Sequence, residues 1–325
     1  HSKKMMNLSV ENSSSLRHMI EPEAFCQRIQ NDLSDKIRLN TAFIISALNL
    51  PLWIFILSGN SVILLALNRD TSLHPPSKLL FRNLAFTDLC VALITQPSYI
   101  LHNMVIAYER WDICPLTQKL SHITTYLLCG VSLMTVCAIS VDRLLALLMG
   151  TRYRQVVTLT RVRISLLFVW IFCLSTSITL LLNFSVRIYS VISAICIALW
   201  LGTSTFCYAK IFVILRGHQK KICGNRDQDS NKNRSSVTRS SINLKQYRRS
   251  VSTALWINFT LIACYSPTAI VLVFRSVPSI PFSALIVSFG AAPSFVYLNS
   301  LLNPILYCWR IKELREEVKK IVSPP

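Results

Sequence analysis

Asp88 is an acidic residue inside a long apolar stretch of the sequence, where a charged side chain is costly. Its carboxyl group must therefore be neutral, paired with another group or bound to a cation. Side chains with oxygen atoms suited to a hard cation stand in other apolar stretches, at Ser132, Asn299, Ser300 and Asn303. The alternative is a protonated Asp88 that is hydrogen-bonded to Asn60 and Asn303.

Other unusual residues also lie inside or at the ends of apolar stretches. Pro267 and Pro304 each remove a backbone hydrogen-bond donor, which predicts a kink or hinge in the helix that contains it. Asp142 and Arg143 end another apolar stretch. On its own, Arg143 is consistent with a side chain that simply extends to the membrane interface.

The sequence lacks the motifs of common enzymes. It contains no His and Cys cluster with metal-binding spacing, no G-x-S-x-G and no phosphate-binding loop, and its 6 His are scattered. We therefore expect a protein that is not an enzyme.

Long apolar stretches must position these polar residues. Each is long enough for an α-helix that crosses a bilayer, which needs about 20 residues, and none alternates as a barrel strand would. The sequence predicts an all-α, seven-transmembrane-helix bundle in one domain. The seven stretches are approximately residues 40–67, 77–107, 113–141, 164–186, 188–209, 250–274 and 276–309.

The basic residues predict the orientation. Lys and Arg outnumber Asp and Glu by 34 to 15, and most of the excess falls in residues 68–82, 142–163, 210–249 and 310–325. Because cytoplasmic loops are rich in Lys and Arg, we expect a multi-pass plasma-membrane protein with its N-terminus outside and its C-terminus inside. A hydrophobic content of 52% with 15% charged residues argues against a nucleic-acid partner.

The same charge pattern divides the chain. Residues 1–39 are expected to form an extracellular tail, residues 40–310 the membrane domain, and residues 216–249 a flexible inner loop. In residues 311–325, apolar side chains recur at helical spacing between basic ones, which predicts a short amphipathic helix on the inner leaflet in contact with membrane lipids.

Motif residues occur in a fixed order along the apolar stretches. They are Gly59-Asn60, Leu84-Ala-Phe-Thr-Asp88, Asp142-Arg143-Leu144, Trp170, Tyr208, Cys264-Tyr-Ser-Pro267 and Asn303-Pro304-Ile-Leu-Tyr307. Over about residues 41–321 this pattern resembles the rhodopsin-like, class A G-protein-coupled receptors. The resemblance implies an extracellular ligand and a heterotrimeric G protein as partners, with an arrestin and a receptor kinase as further candidates. It also implies a sodium ion among Asp88 and its four oxygen-bearing candidates.

The resemblance assigns an activation switch as well. Arg143 would leave Asp142 and meet the G protein, and Tyr208 and Tyr307 would support it. The other residues assigned to the switch are Cys264, Tyr265, Pro267, Asn303 and Pro304. Residues 245–249 contain no acid that could pair with Arg143 and hold the inactive state, so we expect raised basal signalling.

By resemblance, the ligand pocket is lined by Thr125, Cys129, Cys196, Tyr265, Pro293 and Tyr297. Aminergic receptors carry Asp at the place of Thr125, and opsins carry Lys at the place of Tyr297, so neither an amine nor retinal is expected. The remaining ligand classes are a lipid, a nucleoside-like molecule and a small peptide, with no cofactor beyond the ion. The nearby acids Glu109 and Asp112 either attract a basic ligand or form a solvated rim.

Of the 11 cysteines, Cys26 and Cys114 are the two that fall plainly in outer segments. They either form a disulfide or remain free thiols. A short second outer loop without cysteine, together with Trp200, resembles the melanocortin, cannabinoid, lysolipid and adenosine receptor branch.

Glycosylation motifs in outer segments begin at Asn7, Asn12 and Asn183, which predicts a glycoprotein. Two alternatives to a coupled receptor stay open at this point. One is a cation-coupled secondary transporter, which would also hold an ion on a buried Asp. The other is a receptor-fold protein that binds ligand without coupling to G protein.

Overall fold

The computed structural model describes residues 22–69, 73–179, 186–228, 256–275, 282–310 and 312–322. These residues are almost entirely helical and contain no strand, which confirms the all-α prediction. The helices are α1 Pro22–Asp32, α2 Asp35–Arg69, α3 Pro75–Ala107, α4 Cys114–Met149, α5 Tyr153–Val156, α6 Leu159–Thr179, α7 Val186–Gln228, α8 Trp256–Arg275, α9 Phe282–Arg310 and α10 Lys312–Val322.

Six of these helices, α2, α3, α4, α6, α7 and α8, contain segments long and apolar enough to cross a membrane. With the 29-residue α9, they make up the predicted seven-helix bundle. The outside of the bundle is apolar: Leu48, Phe168 and Leu199 are each more than 60% exposed. Such a surface is suited to hydrocarbon rather than water.

Helix α4 is the central element of the bundle. It packs against α1, α3, α6, α7 and α9, and every residue from Val131 to Cys137 is buried. Because α4 contacts helices on several sides, its side chains reach both the interior cavities and the other polar sites of the bundle.

Helix α3 changes its winding next to Asp88. Residues Val91–Thr95 form a π-helical turn, and Pro97 follows at the start of the regular helix beyond it. A π-turn inserts an extra residue and rotates the side chains that follow. It therefore sets how the two halves of α3 face the core.

Two helices extend the bundle at its end near Arg143, which we term the Arg143 end. Helix α7 continues to Gln228, so residues 216–228 are helical where the sequence suggested loop. The rest of that loop lies outside the described residues. Helix α10 buries Leu314 completely and packs Val318 and Ile321 against the main core, as expected of an amphipathic helix.

Helices α2 and α9 approach closely at Gly290. A Cβ atom placed there would lie 2.6 Å from Cδ1 of Ile45, and the Tyr99 hydroxyl donates to the Gly290 carbonyl. One turn away, Asn49 donates to the Ser294 hydroxyl at 2.8 Å. Glycine at position 290 therefore allows this helix contact.

Gly290→Ala should leave the protein less stable than Gly202→Ala by about 1 kcal/mol, because the added Cβ forces the flexible end of the Ile45 side chain out of its preferred rotamer. Adding Ile45→Val, which removes the clashing Cδ1 atom, should restore most of that loss. The measurement is the thermal midpoint of the detergent-solubilised protein. Gly202→Ala is the matched control, because a Cβ at Gly202 has no heavy atom within 4 Å. Equal midpoints for the two alanine variants would contradict the proposed contact.

Candidate functional site

The Asp88 carboxylate on α3 accepts hydrogen bonds from side chains of two other helices. One oxygen accepts from Ser132 on α4 at 3.0 Å and from Ser300 on α9 at 2.7 Å. The other accepts from the Asn303 amide at 2.7 Å. All four residues are buried, so this cluster joins α3, α4 and α9 in the middle of the bundle.

Two further predicted members of the cluster behave differently. Asn60 donates to the carbonyl oxygens of Ile56 and Ser300, at 3.0 and 3.1 Å, rather than to Asp88. Asn299 is buried, and its amide nitrogen has no hydrogen-bond partner among the described residues. The alternative in which Asn60 binds a protonated Asp88 is therefore not the arrangement observed.

The chemistry of this cluster fits a small hard cation. A carboxylate and two hydroxyl groups converge on one point, and hard cations prefer such oxygen ligands. The orphaned Asn299 amide nitrogen is a hydrogen-bond donor, which an ordered water can satisfy and a cation cannot. Asp88, Ser132, Ser300 and Asn303 are the residues that would hold the ion, with Asn299 beside them.

A second polar cluster lies at the Arg143 end. The buried Asp142 carboxylate accepts from Ser77 at 2.9 Å and from Tyr153 at 2.5 Å, and it pairs with the Arg143 guanidinium at 3.0 Å. The guanidinium carbon of Arg143 lies 5.5 Å from the centre of the Phe81 ring. Asp142 is thus held by α3 and α5 while it holds Arg143.

The two tyrosines assigned to support Arg143 occupy different positions. Tyr307 packs edge-on against Phe81, with ring centres 4.9 Å apart, beneath Arg143. Tyr208 is buried against Leu144 and Ile257 in a separate hydrophobic cluster. Residues 245–249, on which the predicted absence of an acidic partner rests, lie outside the described residues.

Among the switch residues of α8, Tyr265 connects this helix to α4. Tyr265 is buried and donates to the carbonyl of Cys129 on α4 at 3.2 Å, and Cys264 is buried beside it. Pro267 follows within the same helix. A hydrogen bond therefore joins α8 to α4.

A central cavity of about 130 Å³ lies between α4, α7, α8 and α9. Of the six residues predicted to line the pocket, Thr125, Cys129, Tyr265 and Pro293 line this cavity. Tyr297 is fully buried next to it and hydrogen-bonds Thr125 at 3.0 Å. Cys196 instead lines a second cavity, of about 340 Å³, between α4, α6 and α7.

At the opposite end of the bundle, Cys26 of α1 and Cys114 of α4 are joined by a disulfide. We term this the disulfide end. The bond ties the segment before the first membrane helix to the central helix, and both cysteines are buried. Of the two alternatives that the sequence left open, the structure contains the disulfide.

The acids near the disulfide end are paired. The buried Arg38 binds Glu109 at 2.5 Å and Asp35 at 2.8 Å. Asp112 pairs with Arg110 at 3.0 Å, and this guanidinium holds the pKa of the exposed Asp112 carboxyl below its usual range. Both candidate acids therefore neutralise neighbouring arginines, which weakens the idea that they attract a basic ligand.

The sequence analysis did not single out two polar connections. Asn83 accepts from the Trp170 indole at 3.1 Å and donates to Thr135 at 3.0 Å, which links α3 to α6 and α4. Arg38 lies in the segment expected to form the extracellular tail, and the structure buries its side chain between Asp35 and Glu109. Asn83 directly follows Arg82 near the start of α3, so its residue type alone gave no distinct signal.

The comparisons with known proteins agree with this geometry. A family model described as "7 transmembrane receptor (rhodopsin family)" matches residues 59–190. The chain is 24% identical to melanocortin receptor 5 of Mus musculus over 286 residues, 84% of this chain and 82% of the relative. Identity to melanocortin receptor 5 of Rattus norvegicus is also 24%, over 284 residues and the same shares.

The chain is therefore similar to the rhodopsin-like, class A G-protein-coupled receptors. The matched region includes Asp88, Ser132, Asp142 and Arg143, and the family is not enzymatic. The receptor is a multi-pass membrane protein. Its predicted glycosylation sites at Asn7, Asn12 and Asn183 lie outside the described residues.

Loss of the disulfide should destabilise the receptor. Cys26→Ser and Cys114→Ser should each lower the free energy of unfolding by about 2–4 kcal/mol, and the double variant should cost little more than either single variant, because one bond is lost in all three. Thermal unfolding under non-reducing conditions measures this. Cys90→Ser is the matched control, since Cys90 is a free, half-buried thiol. Unchanged midpoints for both single variants would show that the bond does not stabilise the receptor.

Proposed function

We propose that the receptor binds an extracellular ligand that is not an amine and, in response, activates a heterotrimeric G protein at the Arg143 end. One observation carries this proposal. Helix α4 alone supplies Thr125 and Cys129 to the central cavity, Ser132 to the Asp88 cluster, and Asp142 with Arg143 at its far end. A displacement at the cavity therefore has a continuous, buried route to Arg143.

We propose the orientation that the basic residues predict. The disulfide end faces outward, in agreement with a disulfide there, because such bonds form and persist in oxidising compartments. The Arg143 end then faces the cytoplasm of a cell whose plasma membrane holds the receptor. Arrestin and a receptor kinase would meet this same end.

Two features support a ligand other than an amine. The lining of the central cavity contains Thr125 at the place where aminergic receptors carry Asp, and none of the described residues that line it is Asp or Glu. The relatives are named melanocortin receptors, so a melanocortin joins the lipid, nucleoside-like and small-peptide ligands to be tested.

Arg143→Ala should abolish receptor-catalysed nucleotide exchange on a purified heterotrimeric G protein, while ligand binding persists. The receptor is reconstituted in nanodiscs, and its basal exchange rate is measured against empty discs. Because residues 245–249 offer no acid to hold Arg143, the basal rate of the unmodified receptor should exceed the background. Arg163→Ala, which replaces an exposed residue near the same end, is the control. This variant should catalyse nucleotide exchange at the normal rate.

Two results would contradict the proposal. An exchange rate indistinguishable from empty discs, with every ligand tested, favours a receptor-fold protein that does not couple. Sodium-driven solute uptake by proteoliposomes that persists in Arg143→Ala favours the transporter.

We also propose that the Asp88 cluster holds a sodium ion. Sodium, relative to potassium at equal ionic strength, should raise the thermal midpoint of the purified receptor through binding to the folded state. Asp88→Asn removes the charge and should remove the difference between the two salts, and Ser300→Ala should reduce it. Equal midpoints of the unmodified receptor in sodium and potassium would refute the ion site.

A further inference from the structure

Helices α6 and α7 leave a gap between them in the lipid-facing wall of the bundle. Each packs against α4, but over the described residues their backbones hardly approach each other. The second cavity, of about 340 Å³, lies in this gap with α4 as its inner wall. Ile192 lines it and is 53% exposed on the outside of the bundle. One side of the second cavity therefore borders the region that membrane hydrocarbon occupies.

The second cavity offers no charged partner to a ligand. None of the described residues that line it is Asp, Glu, Lys, Arg or His. Because an unpaired charge is costly to bury, a ligand of this cavity is uncharged. The volume of the cavity falls within the range of about 300–1,000 Å³ that is typical of small-molecule sites.

The walls of the second cavity change from polar to apolar along the helices. Thr176 and Thr179 near the end of α6, and Ser193 near the start of α7, line the part closer to the disulfide end. Met134 and Trp200 line the part closer to the middle of the bundle. Such walls match an amphiphile whose polar group points toward the disulfide end.

The threonine hydroxyls favour a ligand that donates a hydrogen bond. Thr176 donates to the Cys173 carbonyl at 3.0 Å, and Thr179 donates to the Thr176 carbonyl at 2.6 Å. The hydrogen of each hydroxyl is thus already used, while its oxygen can still accept a hydrogen bond. A hydroxyl group on the ligand supplies that donor without bringing a charge into the cavity.

We infer that the second cavity binds an uncharged lipid whose polar group is a hydroxyl, as in a sterol or a monoacylglycerol. The lipid enters from the bilayer between α6 and α7, with its hydroxyl near Thr176 and Thr179. Its apolar part lies against Met134 and Trp200, where it covers surface that water would contact unfavourably.

This site goes beyond the proposed function, because it is separate from the ligand site in the central cavity and needs no coupling to a G protein. The two cavities are neighbours, since Tyr126, Leu133 and Ile197 line both of them. Residues 172–179 of α6 contribute to the second cavity, whereas residues 265–275 of α8 contribute to the central one. The position of a bound lipid therefore distinguishes the two sites.

The test is photolabelling of the full-length receptor in phosphatidylcholine nanodiscs. The probes are cholesterol and monooleoylglycerol, each with a photoreactive diazirine in its apolar part, and they distinguish a sterol from a monoacylglycerol. We expect at least one probe to label the receptor saturably, in competition with the same unlabelled lipid. Mass spectrometry should locate the competed adducts in residues 126–134, 172–179 and 192–200, and none in residues 265–275. Oleyl sulfate should compete about tenfold more weakly or less well still, since it brings an unpaired charge.

Variants on two helices test the same site independently. Ser193→Phe on α7 and Thr176→Phe on α6 fill the cavity, and each should weaken saturable labelling about tenfold or more. Thr176→Val keeps the shape of the side chain but removes its hydroxyl, and should weaken labelling about fivefold through the lost hydrogen bond. The matched control is Leu199→Phe, which faces outward on α7 and lines neither cavity, and it should label normally. Thermal midpoints show which variants fold.

Three outcomes would overturn the inference. The first is labelling that excess unlabelled lipid does not reduce, which indicates partitioning into the bilayer only. The second is undiminished labelling in a cavity-filling variant that has a normal thermal midpoint. The third is equal competition by oleyl sulfate. Arg143→Ala should retain the labelling. If no probe labels the receptor saturably while nucleotide exchange still requires Arg143, this inference fails and the proposed function stands.

Discussion

The burial of the Asp88 carboxylate is the constraint on which the rest of the bundle depends. A charge in the membrane interior is tolerated only where its oxygen atoms are satisfied, and here the donors come from α4 and α9. Three helices must therefore meet at one level of the bundle. The π-turn of α3 begins three residues later, and the approach of α2 to α9 at Gly290 lies nearer the disulfide end.

Helix α4 connects the Asp88 cluster to both ends of the bundle. Its Cys114 forms the disulfide at one end, and its Ser132 donates a hydrogen bond to Asp88 in the middle. At the Arg143 end, its Asp142 accepts hydrogen bonds from side chains of α3 and α5. The Tyr265 hydroxyl of α8 donates a hydrogen bond to the backbone carbonyl of Cys129 on α4, beside the central cavity. Two discrete arrangements of this helix relative to α8 would suffice to couple ligand to G protein, without any large change at the cavity.

The helices and the polar cluster were accessible from sequence because their signals are local. Apolar length predicts a membrane helix, and a lone Asp within one demands partners, of which Ser132, Ser300 and Asn303 were identified correctly in type and place. Pairings between distant segments had no such signal. The contact of Arg38 with Glu109 and the second cavity, between α4, α6 and α7, depend on how the helices rotate about their axes, which hydrophobicity alone leaves open.

We propose that the Asp88 cluster and the Arg143 end are coupled through α4. The most direct measurement is the affinity of the purified receptor for nucleotide-free heterotrimeric G protein in sodium and in potassium at equal ionic strength. Because coupling between two sites is reciprocal, sodium should weaken this affinity about fivefold or more, and Asp88→Asn should abolish the difference. An affinity that is identical in the two salts for the unmodified receptor would contradict the account.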